Sequence, residues 1–411
     1  MLKNKIFKNT LIYGLSNALY SGLPFLLIPF MVSVLQPEEY GKIDLFRTIS
    51  MIFTPIIGLS AVQSIGYHYF ELSKEHFKTF VSSVQIFQLF TSLLAIIIIW
   101  ILSFWIPKDI YILLLLSVTY FLFNQFIESL LVIYRLEDYS KKYLIVRILN
   151  ISLELLIMFI LFNTLTFLNW TLRVYPIIIS SLIVAIFCLY KFKKMDYKLN
   201  FSYKLLTKAL IYSTPLILHM ISGYILNIGD RFFIKYFIGN KKLGDYAVAY
   251  QLGMSVNFFF TSFNLAWTPT YFRWMKDDKT SAINRVKKIV YYSIIIIGII
   301  TFLGWLLLKN LLLENTKYEI SSHLVLIVLI SNVILSLYKF ESNYYMYNKQ
   351  TKKLSLITFL SAIIAILLNS IFIPIFGIIG AGYTTLTSFT FMFIFVKINI
   401  YNEKNNIKNS N

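Results

Sequence analysis

Residues Ile289 to Leu308 read IVYYSIIIIGIITFLGWLLL, a run of 20 residues without a charged side chain. A helix rises about 1.5 Å per residue, so about 20 mostly apolar residues cross the hydrocarbon core of a bilayer. Runs of similar length follow one another from Asn9 to Ile400 and are separated by short polar segments. The pattern predicts an all-α integral membrane protein with about 12 transmembrane helices.

The composition also indicates a membrane protein. Charged residues make up 14% of the 411 residues and the mean hydropathy is +0.70, whereas soluble domains carry about 25% charged residues. Strands of a membrane barrel would alternate polar and apolar residues over about 10 positions, and the sequence has no such series. A net charge of +19 would suggest a nucleic-acid binder in a soluble chain. Here the cations cluster in alternate loops, so no nucleic-acid partner is predicted.

The apolar runs form two sets of six with a long basic segment between them. Because both sets begin on the same side of the membrane, we expect parallel repeats about an axis along the membrane normal. The predicted domains are an N-terminal six-helix bundle at 1–190, a basic cytoplasmic linker at 191–205, a C-terminal six-helix bundle at 206–401 and a cytoplasmic tail at 402–411. The predicted spans are Asn9–Leu35, Ile43–Phe70, Phe80–Trp105, Ile110–Tyr134, Leu144–Phe162, Trp170–Tyr190, Leu206–Ile238, Tyr246–Phe272, Ile289–Leu308, Ser322–Tyr347, Leu354–Phe376 and Ala381–Ile400.

The distribution of basic residues predicts the orientation. With the N-terminus inside, 27 of the 38 lysines and arginines fall in inside segments, 8 in outside segments and 3 in spans. Since cytoplasmic loops hold an excess of lysine and arginine, both termini are predicted to face the cytoplasm. The first apolar run continues to Leu35, beyond the roughly 7–15 residues of a signal-peptide core, so it is interpreted as a retained first helix.

Short matches between the two sets indicate an internal repeat. Leu11-Ile12-Tyr13 opens the first span and Leu210-Ile211-Tyr212 opens the seventh, at an offset of 199 residues. Each of these spans leads into a polar loop that carries a glycine, Gly41 or Gly244, at an offset of 203. The difference between the offsets is about one helical turn, so the two halves are expected to superpose with a small insertion.

Several motifs resemble those of bacterial polysaccharide repeat-unit flippases. The first loop reads LQPEEYG at 35–41. The stretch NIGDRFFI at 227–234, followed by Gly244-Asp245-Tyr246 and by AWTP at 266–269, is similar to the seventh and eighth helices of that family. The family, which comprises the O-antigen and capsule flippases, belongs to the multidrug/oligosaccharidyl-lipid/polysaccharide exporter (MOP) superfamily.

The resemblance implies an alternating-access flippase in which two six-helix bundles form a V that opens to either side in turn. The implied cargo is an oligosaccharide repeat unit on undecaprenyl pyrophosphate. It would move from the inner to the outer leaflet of the bacterial plasma membrane for O-antigen, capsule or exopolysaccharide synthesis. The implied partners are membrane lipid and a polysaccharide polymerase, and no cofactor is implied.

Three basic residues inside the spans are predicted to bind substrate: Arg47, Arg231 and Lys339. An ionisable group deep in a span is unfavourable and marks a functional site by default. A pyrophosphate headgroup needs cations, and the planar fork of arginine suits phosphate oxygens. The alternative for Arg231 is that it and Asp230 only lock span seven to a neighbouring helix. Because the two residues are adjacent on a helix, they are expected to point about 100° apart and to serve different neighbours.

Acidic residues inside the spans are predicted either to couple transport to ions or to pair helices. They are Asp44, Glu128, Glu154, Asp230 and Glu341. Asp44 and Arg47 share a helical face and can pair, whereas Lys339 and Glu341 are too close in sequence to face each other and need partners elsewhere. Arg147, near a cytoplasmic helix end, is interpreted as snorkelling to the interface. Protons, sodium and the membrane potential stay open as energy sources.

Two rival functions stay open. A multidrug or cation antiporter of the same superfamily would share the fold, although three cavity cations would repel a cationic drug. A membrane glycosyltransferase or polymerase would need acidic groups on a sizeable outer loop, and Glu38-Glu39 is the only acidic pair in an outer loop. The four histidines show no metal-ligand spacing, and no glycine-rich phosphate loop carries a lysine. The sequence therefore predicts no catalytic residue, no metal site and no ATP-driven engine.

Overall fold

A computed structural model describes the backbone of residues 2–348 and 350–409. The side chains of residues 2–11, 265–266 and 404–409 lie outside the described set, as do Met1, Lys349, Ser410 and Asn411. Three sequence features fall on those residues: the basic start of the chain (Lys3, Lys5 and Lys8), Ala266 of the fourth motif, and most of the predicted tail at 402–411.

Every regular element in the described part of the chain is an α-helix. Lipid offers no hydrogen-bond partners, so each apolar run satisfies its own backbone groups in this way. The helices are α1 (Leu2–Leu26), α2 (Ile28–Val34), α3 (Pro37–Ile56), α4 (Gln63–His68), α5 (Lys74–Leu102), α6 (Lys108–Leu136), α7 (Ser140–Thr164), α8 (Thr171–Lys194), α9 (Tyr203–Ile228), α10 (Asp230–Phe237), α11 (Asn240–Gly253), α12 (Ser255–Lys276), α13 (Thr280–Leu313), α14 (Ser322–Tyr347), α15 (Thr351–Phe376) and α16 (Ile378–Asn409).

Among the described residues, 10 helical segments are long and apolar enough to cross a membrane. The predicted second and eighth spans are not among them. In the second, α3 ends just after Pro55, and Leu59 and Ser60 adopt φ values of 44° and 54° before α4 begins. In the eighth, the chain divides at Met254 between α11 and α12. Proline removes a backbone donor and a positive φ interrupts helical geometry, so the second apolar run folds as two shorter helices.

The chain divides into two compact units, and unit 1 comprises Met1–Tyr20 and Lys42–Tyr224. In this unit α6 packs against α5 and α8, and α7 also packs against α8. The core between these helices includes Phe80, Ile127 and Cys188, which are fully buried. The predicted linker 191–205 is attached to the same unit, because the backbone N–H of Ser202 donates to Ser83 Oγ on α5 over 2.9 Å.

Unit 2 comprises Ser21–Gly41 and Ile225–Asn411. Its core forms where α14 and α15 both pack against α16, around the fully buried Tyr345, Phe389 and Val396. The units therefore divide within α1, α3 and α9, and the predicted linker lies inside unit 1. The arrangement as two six-helix bundles stays a prediction.

Within unit 2, the beginnings of α3 and α11 touch through two glycines. A Cβ atom placed on Gly244 would lie 1.8 Å from the carbonyl oxygen of Pro37, and one on Gly41 would lie 2.4 Å from that of Asn240. Only glycine permits two backbones to approach so closely. Pro37 and Asn240 are 203 residues apart, as are Gly41 and Gly244. The crossing therefore follows the offset of the internal repeat.

Candidate functional site

Arg147 on α7 is a buried cation of unit 1. Its Nη2 lies 3.0 Å from Glu128 Oε1 on α6, and its guanidinium carbon lies 4.4 Å from the centre of the Tyr20 ring. The residue is only 7% exposed. The interpretation of Arg147 as snorkelling is therefore wrong, because its side chain is buried and contacts a carboxylate.

Glu154 forms a second buried ion pair in unit 1. Its Oε1 contacts Arg173 Nη1 on α8, and both side chains are buried. Between Arg147 and Glu154 on α7 lies Asn150, whose Oδ1 accepts from Ser180 Oγ over 3.2 Å. Arg173 is one of the eight basic residues that the predicted topology assigns to outside segments. In the structure it belongs to the first turn of α8. Glu128 and Glu154 are thus each paired with an arginine, and their role in ion coupling stays a prediction.

Asp44 and Arg47 both lie on α3 and are half-buried. Each has an interaction partner. Their mutual pairing and the role of Arg47 in substrate binding stay predictions.

Arg231 in unit 2 is folded back on its own neighbour. Its Nη1 donates to Asp230 Oδ1 over 2.6 Å and to the carbonyl oxygen of Asn227 over 2.9 Å. The expectation that Asp230 and Arg231 serve different neighbours is therefore wrong. The arginine side chain is long enough to reach the adjacent carboxylate, and in a buried setting the attraction between opposite charges favours that contact.

Two tyrosines of α11 complete the cluster around Asp230 and Arg231. Tyr246 OH donates to the second carboxylate oxygen of Asp230, and the Tyr250 ring centre lies 4.1 Å from the guanidinium carbon. All four residues are buried. The cluster joins α10 to α11, as the helix-locking alternative requires, and substrate binding by Arg231 stays a prediction.

Lys339 on α14 is a half-buried cation of unit 2. Its Nζ donates to Asn257 Oδ1 on α12 over 2.8 Å, and among the described residues it has no ion-pair partner. An ammonium group that is partly withdrawn from water and contacts a neutral amide is stabilised when an anion joins it. Lys339 therefore has no counter-charge among the described residues.

Glu341, two residues further along α14, joins three helices. Its Oε1 lies 2.5 Å from Lys287 Nζ on α13 and 3.3 Å from Lys397 Nζ on α16. Tyr291 OH on α13 donates to the same oxygen. As the spacing predicts, Lys339 and Glu341 face different helices.

Sequence reasoning missed an amide row between α12 and α14, formed by Asn257, Asn264, Thr268 and Asn343. Asn343 Nδ2 donates to Asn264 Oδ1 over 3.0 Å, and Thr268 Oγ1 donates to Asn343 Oδ1 over 2.9 Å. The signal was present in the sequence, because the α12 members are spaced by seven and four residues and so share one helical face. With Lys339, the amide row supplies a cation and neutral hydrogen-bonding groups on adjoining turns.

The structure thus brings together some predicted site residues and separates others. Glu128 contacts Arg147, which was predicted to snorkel to the interface. Glu154 contacts Arg173, which was predicted to lie in an outside segment. Arg47 belongs to unit 1, whereas Arg231 and Lys339 lie on different helices of unit 2. That these three cations act as one substrate site stays a prediction.

Sequence comparisons place the chain among polysaccharide biosynthesis proteins. A family model described as "Polysaccharide biosynthesis protein" matches residues 6–275. "Lsg locus putative protein 1" from Haemophilus influenzae is 24% identical, over 92% of this chain and 95% of that protein. "Uncharacterized membrane protein MJ1068" from Methanocaldococcus jannaschii is also 24% identical, over 95% of this chain and 83% of that protein.

Solved structures show what fold the chain shares. Lipid II flippase MurJ in an inward closed conformation matches with a TM-score of 0.67 at 16% identity, over 93% of this chain and 87% of that one. An inward-facing multidrug resistance MATE family transporter of the MOP superfamily matches with a TM-score of 0.65 at 15% identity, over 97% and 96%. The all-helical, multi-pass fold described above is therefore the fold of these transporters.

Proposed function

Because this chain belongs to the polysaccharide biosynthesis protein family of the MOP superfamily, we propose that it is an alternating-access flippase for a lipid-linked oligosaccharide. The cargo is an oligosaccharide repeat unit on undecaprenyl pyrophosphate, which moves from the inner to the outer leaflet of the bacterial plasma membrane. The exported unit serves O-antigen, capsule or exopolysaccharide synthesis, and a polysaccharide polymerase consumes it. No covalent step is involved, so the protein acts as a transporter and not as an enzyme.

Two features of the comparisons support this proposal. The fold is shared with lipid II flippase MurJ, which supports a lipid-linked cargo. It is also shared with multidrug resistance MATE family transporters in outward-facing and inward-facing conformations, which supports an alternating cycle. The excess of basic residues in alternate loops supports a plasma-membrane orientation with both termini in the cytoplasm.

The single observation that supports an anionic cargo is that Lys339 has no counter-charge among the described residues. Among the described residues, its ammonium group donates to the neutral Asn257 amide over 2.8 Å. A diphosphate would replace the missing counter-charge, and charge-assisted hydrogen bonds to phosphate oxygens are stronger than the neutral contact to the amide. The amide row beside it offers donors and acceptors suited to sugar hydroxyls.

Arg47 and Arg231 complete the proposed set of substrate cations. For Arg231 to reach a phosphate, its contact with Asp230 must open. Arg231→Ala is expected to reduce export of lipid-linked sugar while leaving membrane insertion intact. Unchanged export would show that Arg231 does not bind substrate and only locks α10 to α11.

A multidrug or cation antiporter is the second candidate function. Pairing of Arg231 with Asp230 removes one cation from the set, and the fold is shared with a multidrug resistance transporter. The positive charge of Lys339 argues against a cationic drug as the cargo, because like charges repel strongly where the dielectric constant is low. Coupling to protons or sodium through Asp44, Asp230 or Glu341 is compatible with either function and is tested by collapsing each gradient separately.

The test is transport by the purified protein in liposomes loaded with lipid-linked oligosaccharide. Wild-type protein is expected to move the cargo between leaflets, and Lys339→Gln to slow it at least tenfold. Lys276→Gln, which changes an exposed lysine of the same unit, is the matched control and should transport normally. Equal rates for Lys339→Gln and wild type would remove Lys339 from the site, and no transport by wild type would overturn the function.

A further inference from the structure

A charged cluster in unit 2, near the predicted cytoplasmic end of α13, holds more positive than negative charge. Lys287 Nζ on α13 and Lys397 Nζ on α16 lie 2.5 Å and 3.3 Å from the same oxygen, Oε1 of Glu341 on α14. The two ammonium groups also lie 5.6 Å and 5.4 Å from the centre of the Tyr291 ring. Two positive charges share one negative charge, so the net charge of the cluster is +1.

The positive side of this cluster is accessible from the helix surface. The side chains of Lys287 and Lys397 are 29% and 38% exposed, whereas that of Glu341 is 8% exposed. A ligand that approaches the cluster therefore meets ammonium groups before it meets the carboxylate. Basic sites between helices near the cytoplasmic surface bind anionic lipid headgroups. A phosphodiester carries one negative charge and would complement the excess charge of the cluster.

An apolar groove of about 220 Å³ follows the seam between α13 and α14. Ile299 and Phe302 on α13 and Ile330 and Val333 on α14 belong to its walls, and every lining residue is apolar. Ile299 and Ile330 are exposed, so the groove is open along the helix surface. Gly298 leaves room in the groove, because a Cβ atom there would lie 3.2 Å from Val333 Cγ2. Such a groove suits a hydrocarbon chain.

The groove and the charged cluster lie along one line on the protein. Gly298 follows Lys287 by 11 residues on α13, and Ile330 precedes Glu341 by 11 residues on α14. Eleven residues make about three helical turns, so each pair lies on about the same helix face, about 16 Å apart along the axis. Half of a bilayer with its headgroups is about 20–22 Å thick. A lipid whose headgroup contacts the cluster therefore has the deeper part of its chain at the level of the groove.

We propose that α13, α14 and α16 form a binding site for one anionic phospholipid of the cytoplasmic leaflet. Its phosphodiester contacts Lys287 and Lys397, and one acyl chain lies in the groove beside Gly298. The net charge of the cluster favours this occupant over the more highly charged pyrophosphate of the proposed cargo. The choice of leaflet rests on the proposed orientation, whereas the site depends neither on the cargo nor on Lys339. The competing explanation is an ion-pair network that only joins the three helices.

The experiment is native mass spectrometry of the purified full-length protein, titrated with dioleoyl phosphatidylglycerol or with zwitterionic dioleoyl phosphatidylcholine. Wild type should bind phosphatidylglycerol at least fivefold more tightly. Lys397→Gln, which leaves Lys287 paired with Glu341, should weaken phosphatidylglycerol binding about fivefold, the usual contribution of one lysine at an anionic surface. Lys288→Gln is the matched control, because it removes an exposed charge from the neighbouring position of α13 and should leave the affinity unchanged.

A second pair of variants tests the groove. Ile299→Trp fills the groove with a bulky side chain and should weaken phosphatidylglycerol binding about 10-fold, which corresponds to the loss of about two buried methylene groups. Ile300→Trp is its control, since Ile300 is equally a lipid-exposed isoleucine of α13 but does not line the groove. This control should bind as wild type does.

Several results would overturn the site. These are equal affinities of wild type for the two phospholipids, equal losses in Lys397→Gln and Lys288→Gln, or an unchanged affinity in Ile299→Trp. Tighter binding of undecaprenyl phosphate with the same dependence on Lys397 would replace the phospholipid by the lipid carrier of the cargo. Lys339→Gln should bind phosphatidylglycerol normally, which separates this site from the proposed function. Lys397→Arg, which keeps the charge, should restore the affinity, and equal unfolding temperatures exclude a folding defect.

Discussion

Gly244 lies so close to Pro37 that a Cβ atom on the glycine would stand 1.8 Å from the proline carbonyl oxygen. The reciprocal contact, between Gly41 and Asn240, is almost as tight at 2.4 Å. Both glycines belong to motifs that carry the family resemblance, the first loop and the turn into the eighth predicted span. Their side-chain-free surfaces let two helix beginnings cross in direct backbone contact.

Gly244→Ala should disrupt this crossing. The added methyl group meets backbone and not a movable side chain, so we expect a loss of about 1–3 kcal/mol or more in the free energy of unfolding. Gly14→Ala is the control, because a Cβ there meets nothing within 4 Å and alanine favours the helix by up to about 1 kcal/mol. Thermal unfolding in detergent measures both, and equal stability of Gly244→Ala and wild type would refute the close approach.

Glu154→Gln should be among the most destabilising single changes in unit 1. It leaves the Arg173 guanidinium, only 3% exposed, buried without its counter-charge. The expected loss is about 3–5 kcal/mol in the free energy of unfolding. Adding Arg173→Met to Glu154→Gln should restore much of that loss, since the double variant buries no charge. Additive losses in the double-mutant cycle would show that the two residues are not coupled.

Glu341→Gln should cost less than half as much as Glu154→Gln. Both changes remove a paired carboxylate, but Lys287 and Lys397 have side chains that are 29% and 38% exposed. Water can therefore solvate these two ammonium groups after the change, which it cannot do for Arg173. Unfolding of the two variants under identical conditions compares them, and an equal loss would contradict the difference in exposure.

The segment between α13 and α14, which contains Glu319, should lose stability in acid. Hydrogen bonds from Lys242 and Lys241 lower the pKa of Glu319 from 4.5 to about 2. Because the pKa in the folded protein lies below the ordinary value, the contribution to stability is complete well above pH 4.5 and is lost as the pH falls toward 2.

The readout is hydrogen exchange of the segment around Glu319, corrected for the intrinsic rate at each pH. Protection should be constant between about pH 7 and pH 5 and should decrease in more acidic solution. Glu319→Gln, which cannot ionise, should show lower protection at neutral pH and no such decrease. The same acid dependence in the variant would assign it to other groups.

The fold was largely predictable, because the length and apolarity of each run can be read from the sequence. In lipid, such a run satisfies its backbone hydrogen bonds by forming a helix. The breaks near Pro55 and Met254 were not predictable from hydropathy, since an average over a whole run conceals a local turn. Neither of the two predicted spans is among the 10 candidate membrane spans in the described part of the chain.

The partners of the intramembrane charges were the least predictable part of the site. Glu128 and Arg147 are on different helices, and Glu154 and Arg173 likewise, so their contacts depend on how the helices are rotated in the packed unit. Sequence spacing predicted that Lys339 and Glu341 would face different helices, because that relationship lies within one helix. It failed for Asp230 and Arg231, whose contact depends on the reach of a long side chain.

The most direct test of the central claim offers the reconstituted wild-type protein two kinds of cargo in parallel liposomes. One set contains an undecaprenyl-pyrophosphate-linked oligosaccharide in its membrane, and the other surrounds the vesicle with an organic cation. An anion-binding flippase should transfer the lipid-linked oligosaccharide between leaflets and leave the organic cation outside. Accumulation of the organic cation without movement of the lipid-linked oligosaccharide would contradict that claim and favour the cation antiporter.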